Sequence, residues 1–264
     1  MTTSTCLTSS SEVLTADLGP GVWAAFTTRA GGRSSAPYDT FNLGAAVGDD
    51  PVAVEANRQL LSDRAGAPVV FLTQVHACDV VLDPRPGQPV GEESVADAVV
   101  LTDPCAAAAV LVADCLPVLL AGVNDRGVPG AVAAVHAGRR GVLAGIVGQA
   151  VARMRGAGFE VRRAAVGPAI CGRCYEVPEQ MQRECLDLLP SLAARTWQGS
   201  PALDLRAGVQ TQLRAAGVTE VDDHAVCTRE DPRFYSYRRD GQTGRFAGVV
   251  RLERHAEALG AGGP

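Results

Sequence analysis

Residues 108–121 read Ala108-Ala109-Val110-Leu111-Val112-Ala113-Asp114-Cys115-Leu116-Pro117-Val118-Leu119-Leu120-Ala121. Two runs within it, 108–113 and 117–121, are apolar at nearly every position, which reads as strands buried on both faces. Asp114 and Cys115 interrupt them. Working outward, 98–101 and 131–135 read as further buried strands, the second entered through the turn Asn124-Asp125-Arg126-Gly127. Shorter strands are expected at 22–28, 69–72, 80–82 and 164–166. Val142, Ile146, Val147, Ala150, Val151 and Met154 fall at helical spacing, and Gly156 and Gly158 close that helix. Asp50-Pro51 opens an earlier helix, with Asp as N-cap and Pro in its first position, and Gly66 is placed to end it. Helices are also expected near Pro178 and after Asp204. A loop is expected over 83–93, and a hairpin over 233–251 turning at Asp240-Gly241. Strand-like and helix-like segments alternate without a linker. The expectation is an α+β fold: a single compact domain over 13–264, behind a disordered polar tail, 1–12.

Composition narrows the chemistry. Net charge is −5, with both signs interspersed and no basic stripe, so nucleic acid is not an expected partner. Apolar stretches reach about ten residues, against roughly 20 for a membrane span. The N-terminus lacks a charged segment followed by an apolar one, so a cytoplasmic protein is expected. Its eight cysteines then read as thiols, metal ligands or catalytic groups rather than a disulfide framework. All 24 basic residues are arginine. Without lysine there is no Schiff base, no pyridoxal phosphate anchor and no P-loop cation. An anion must be held by arginine, by backbone N–H groups or by a metal.

Histidine is scarce, at four residues, so each position is informative. His76 and His136 end predicted strands, and Cys115 lies at a strand end between them, where buried scaffold hands over to exposed loops. Spacing alone leaves open whether these are metal ligands or satisfied core residues. After His136 come Ala137-Gly138-Arg139-Arg140-Gly141 and then a helix. Such a turn leaves backbone N–H groups free at a helix N-terminus beside two arginines, an anion-binding arrangement.

These residues sit within a longer series of motifs. They are Phe26-Thr27-Thr28-Arg29, Phe41-Asn42-Leu43, Gly48-Asp49-Asp50-Pro51 with Asn57-Arg58, and Thr73-Gln74-Val75-His76. The series continues with Ala113-Asp114-Cys115-Leu116-Pro117-Val118, His136-Ala137-Gly138, Gly167-Pro168-Ala169-Ile170, Tyr175-Glu176-Val177 and Ser236-Tyr237-Arg238-Arg239-Asp240-Gly241. In this order they resemble the YfiH-like, laccase-domain family, whose members have been described as multicopper polyphenol oxidases and as purine nucleoside phosphorylases. The resemblance implies β-sheets packed together with helices outside, and one zinc held by His76, Cys115 and His136. It also implies phosphorolysis of adenosine, inosine, guanosine and 5'-methylthioadenosine, with deamination of adenosine. A small-molecule nucleoside and phosphate would be the partners, and a monomer or weak homo-oligomer is expected. One position departs: Arg139 stands where the family usually has Trp.

Roles can then be assigned as expectations. Arg140 and the turn at Gly138 are the first candidates for phosphate, with Arg58 and Arg29 behind them. Asn42 and Gln74 are candidates to orient a ligand or touch the ribose. Asp114, on an extended backbone, would face away from Cys115 and serve as a hydrogen-bond acceptor or an acid/base. Copper is the alternative metal, but an oxidase with a copper cluster needs more imidazoles than remain, and Met1, Met154 and Met181 lie far from the motifs. A metal-free cysteine hydrolase, with Cys115 as nucleophile and His136 as base, is the second class, and the family resemblance extends it to an amidase acting on cell-wall precursors. The pair Cys171-Gly172-Arg173-Cys174 reads as two incidental thiols rather than a redox dithiol or zinc module. Cys6, Cys78, Cys105, Cys185 and Cys227 read as small buried or tail residues.

Overall fold

The computed structural model describes residues 13–84 and 95–254. The expected tail, His255, Cys6 and most of the 83–93 loop lie outside the described residues. In chain order the first strands are β1 (Val13–Thr15), β2 (Val22–Thr27), β3 (Val69–Val70), β4 (Val80–Leu82) and β5 (Ala98–Leu101). Next come β6 (Ala107–Val112), β7 (Leu116–Val123), β8 (Pro129–Ala137) and β9 (Glu160–Val166). The last are β10 (Ala193–Arg195), β11 (Pro201–Leu203), β12 (Glu220–Asp223) and β13 (Phe246–Leu252). Helices are α1 (Pro51–Ala65), α2 (Arg139–Leu143), α3 (Ile146–Gly156), α4 (Glu179–Leu188), α5 (Leu205–Ala215) and α6 (Tyr237–Asp240).

Two mixed sheets dominate this α+β fold. One has the order β1-β2-β13-β6-β3 and the other β12-β9-β7-β8-β5-β4. Their facing surfaces share a core that includes Phe26, Val99, Leu101, Val110, Leu119, Val132 and Val250. Alternation places the other face of each strand elsewhere. On β5, Ala98 and Val100 pack with α3 residues Ile146, Val147 and Val151. On β6, Ala107 and Ala109 join Leu61 and Ala65 of α1. Both faces are therefore covered, which is why the sequence runs apolar without alternating. Each fully buried Val or Leu adds roughly 1.5–3 kcal/mol.

Three expectations need correction. The helix over 142–156 is broken into α2 and α3 by Gly145, whose φ of 78° leaves the right-handed region. The strand expected at 69–72 is only Val69–Val70. No hairpin forms over 233–251. Ser236 instead caps the short α6 by accepting from the Arg239 N–H, and β13 runs antiparallel between β2 and β6. Its partners come from distant parts of the chain, which local turn residues could not reveal. The caps at Asp50 and Asp204 form as expected, each carboxylate accepting a backbone N–H of its helix.

The topology also makes a seam. The chain crosses from one sheet to the other between β6 and β7, through Ala113-Asp114-Cys115. It crosses again between β3 and β4, through a segment containing His76. The end of β8 brings His136 to the same place, because Pro117 pairs with His136 across β7 and β8.

Candidate metal centre and its cavity

His76, Cys115 and His136 converge at this seam, with one donor atom of each within 4.8 Å of the others. Cys115 Sγ lies 3.8 Å from His76 Nε2. A tetrahedral ion with sulfur at about 2.3 Å and nitrogen at about 2.0 Å separates those donors by about 3.5 Å. The imidazoles stand edge to face, with centroids 4.7 Å apart. Gly138 borders the cradle. A Cβ there would lie 3.0 Å from His76 Cδ2 and 3.3 Å from Cys115 Sγ, so any side chain would crowd the donors. The set fits a divalent metal.

Asp97, which sequence reasoning did not single out, holds the cradle in place. It is fully buried at the start of β5. Its Oδ1 lies 2.7 Å from His136 Nδ1, which directs Nε2 toward the other donors. The same carboxylate accepts the backbone N–H groups of Val75, His76 and Ala77 at 3.2, 2.9 and 2.7 Å. Those bonds hold His76 in a left-handed backbone, φ 60°. Burial opposes the Asp97 charge, yet the bonds from His136 and the backbone outweigh it and lower its pKa. Burial likewise opposes the Cys115 thiolate, but the two histidines bring the thiol down to about 6. For His136, burial favours the neutral ring, and Cys115 and Asp97 reverse that, raising it to about 9. The only sequence signal for Asp97 is an acid directly before an apolar run, Ala98-Val99-Val100-Leu101.

The donors line a cavity of about 1230 Å³. Arg58, Arg139, Arg238 and Arg245 also line it, with Phe71, Tyr175 and Tyr237. Arg245 and the three aromatic residues are further ones sequence reasoning missed. The Arg245 guanidinium has its pKa lowered by burial, with Cys115 and Asp114 pulling the other way. Burial raises the Tyr175 hydroxyl, and Arg139 beside it opposes that shift.

The expected ligand-binding residues divide. Arg58 lines the cavity, stacked 4.2 Å over the Phe71 ring, with Nε donating to Leu43 O. Gln74 also lines it, but both ends of its amide bond the backbone of Leu111. Asn42 is buried and absent from the lining. Its Oδ1 accepts the Arg245 backbone N–H, so it positions Arg245 rather than a ligand. Arg29 does not reach the cavity; it donates to Asp39 O and lies over the Tyr235 ring.

Arg140 is exposed and outside the lining, whereas Arg139 faces in. The helix that was to cradle phosphate has five residues, too short for a substantial dipole. Asp114 does line the cavity, because a φ of 95° turns the backbone there. Both its oxygens are occupied, by the Thr228 hydroxyl at 2.6 Å and the Arg238 backbone N–H at 2.7 Å. Among the described residues no methionine lines the cavity, and Met154 is buried in the core. His224 lies apart, against Phe26 and Asp222.

The family model described as multi-copper polyphenol oxidoreductase laccase matches residues 23–253. The chain belongs to this family. A purine nucleoside phosphorylase of Streptomyces coelicolor is 48% identical over 240 residues, covering 88% of this chain and 96% of that one. A purine nucleoside phosphorylase of Pseudomonas aeruginosa is 38% identical, covering 88% and 94%. Among solved structures, a Neisseria meningitidis protein superposes with a TM-score of 0.79 at 35% identity, covering 92% of this chain and all of that one. The YfiH protein of Bacillus licheniformis follows at 0.76 and 27% identity, covering 88% and 93%. No helix among the described residues is long and apolar enough to cross a membrane.

Proposed function

We propose that the chain is a zinc-dependent purine nucleoside phosphorylase. Its metal would be held by His76, Cys115 and His136, and its phosphate by arginines of the same cavity. One observation carries this: three donors suited to a divalent ion and four arginines line a single cavity of about 1230 Å³. The names of the relatives support the reaction. Zinc suits two imidazoles and a thiolate, and three protein ligands leave a position for water or substrate. When bound, the ion supplies Lewis-acid polarisation and a water of lowered pKa. Copper is less well served, since the cavity offers no axial thioether among the described residues.

The chain's own residues supply the rest. Arg245 and Arg58 present forked donors in a partly desolvated setting, suited to phosphate. Tyr175 and Tyr237 offer flat surfaces for a purine. Asp114 secures the wall through Thr228 and Arg238, so the role assigned to it is positioning. The substrate set is adenosine, inosine, guanosine and 5'-methylthioadenosine, with adenosine deamination as a second activity of the same centre.

Incubation of zinc-loaded protein with each nucleoside, with and without phosphate, tests this by product mass. Free base and a pentose 1-phosphate are expected only with phosphate, and inosine from adenosine without it. No turnover of any of the four would sink the proposal.

A second reading has its own support. The file Asp97, His136, Cys115 has the order of a nucleophilic triad, with the cysteine already brought toward the thiolate. It would serve a metal-free amidase. Activity that survives complete chelation and is abolished by iodoacetamide at Cys115 would favour it. Activity lost on chelation and restored by zinc excludes it.

A further inference from the structure

Outside the cavity lining, a second group of metal-ligating side chains gathers: Cys171, Cys174, Cys227 and Glu230, with one donor atom of each within 4.8 Å of the others. We infer that this is a second, structural metal site, a zinc clasp of three thiolates and one carboxylate, distinct from the centre in the cavity.

Its backbone is built as two matching turns. In the first, the N–H groups of Cys174 and Tyr175 both donate to Cys171 O, at 2.9 and 3.0 Å. In the second, the N–H groups of Glu230 and Asp231 both donate to Cys227 O, at 3.2 and 2.9 Å. Each turn projects its first and fourth side chains together, the C-x-x-C arrangement of zinc-binding turns, with Glu in the last place. The turns also face each other. Ala169 and Cys227 form a parallel bridge. The Cys171 N–H points at Cys227 Sγ, 3.4 Å away, a bond that stabilises a thiolate. Cys174 Sγ lies 3.3 Å from Glu230 Oε1.

Thiolates on one tetrahedral zinc sit about 3.8 Å apart, so the group need close by no more than about an ångström. Soft thiolates select zinc over hard cations. Cys174 is buried, and the cysteines are free thiols in this arrangement. The incidental reading of the first pair arose because its partner lies 56 residues on.

The clasp joins two segments that brace the cavity wall at Asp114. Asp114, next to Cys115, receives Ile170 N–H on its backbone oxygen and the Thr228 hydroxyl on its side chain. Those residues immediately precede Cys171 and follow Cys227. Four protein ligands leave no open position, so the clasp orders the wall and takes no part in chemistry.

Native mass spectrometry and elemental analysis of the full chain, purified under reducing conditions, test this directly. Two zinc per chain are expected in the unaltered protein, one in C171S/C174S, and one in H76A. C227S, altered in the other turn, should lose the same equivalent as C171S/C174S. Cobalt loading of H76A should give the intense charge-transfer absorption of several thiolates. Zinc lost entirely from H76A overturns the clasp, as does a disulfide among Cys171, Cys174 and Cys227. A protein holding one zinc that H76A retains and C171S/C174S loses would uphold the clasp while removing the cavity centre. The two assignments therefore fail separately.

Discussion

The two donor groups differ in composition and in setting. His76, Cys115 and His136 hang from a strand end and two sheet-to-sheet crossings, and they line a cavity. Cys171, Cys174, Cys227 and Glu230 come from two hydrogen-bonded turns that face one another. Three donors with imidazole leave an ion a free position, whereas three thiolates with a carboxylate close the shell. The first group is held by a buried carboxylate behind it, the second by its own backbone. On the proposed function the first serves the reaction, and on the inferred clasp the second serves order.

The largest effect should come from removing a cavity donor. His136→Ala is expected to lower kcat/KM for inosine phosphorolysis by on the order of 10³-fold or more, about 4 kcal/mol of barrier. C171S/C174S should keep kcat within a few-fold and lose stability instead. A clip joining positions 56 residues apart is worth about 4 kcal/mol, and at roughly 2–4 °C per kcal/mol the melting temperature should fall by roughly 8–16 °C. Steady-state kinetics and thermal unfolding on both variants decide the matter. A loss of kcat in C171S/C174S as deep as in His136→Ala would erase the distinction.

Asp97 tests how the first group is held. Asp97→Asn keeps the shape but loses the charge that faces His136 and receives three backbone N–H groups. Zinc affinity should drop about 10–100-fold, with activity largely regained in excess zinc. A merely structural carboxylate would give a loss that added zinc leaves untouched. Asp97 also marks where the sequence became hard to read. His76, Cys115 and His136 stand out in the sequence as scarce residue types at strand ends, but only the resemblance of the surrounding motifs implied a shared metal. An acid before an apolar strand looks like any solvated strand end until the crossing from β3 folds back over it. Fold class, the α1 limits and the buried runs were legible for a similar reason, being set by local pattern. Arg245 was hidden because its place depends on β13 lying between β2 and β6, a pairing no local turn encodes.

Arg245 should show a smaller effect that is confined to the anion. Arg245→Gln is expected to raise KM for phosphate about 10-fold or somewhat more, the worth of one charge-assisted contact, with little change in KM for the nucleoside. Zinc content should stay at the unaltered level, which separates loss of an anion partner from collapse of the donor group. Equal rises in both KM values would place Arg245 outside the phosphate site.

The smallest effect concerns the two arginines after Gly138. They are adjacent in sequence, yet a residue step on a helix turns a side chain by about 100°, so only one can face the donors. Arg139 lines the cavity beside Tyr175, and Arg140 is exposed. Arg140→Gln should therefore leave kcat and both KM values within about twofold, as exposed substitutions usually do. Arg139→Trp, which restores the residue usual in the family, should instead lower KM for the purine nucleoside a few-fold by adding a flat apolar surface. If Arg140→Gln alone raised the phosphate KM, the exposed arginine would have to turn inward during turnover. Anion binding would then belong to the turn beside the donors rather than to Arg245 across the cavity.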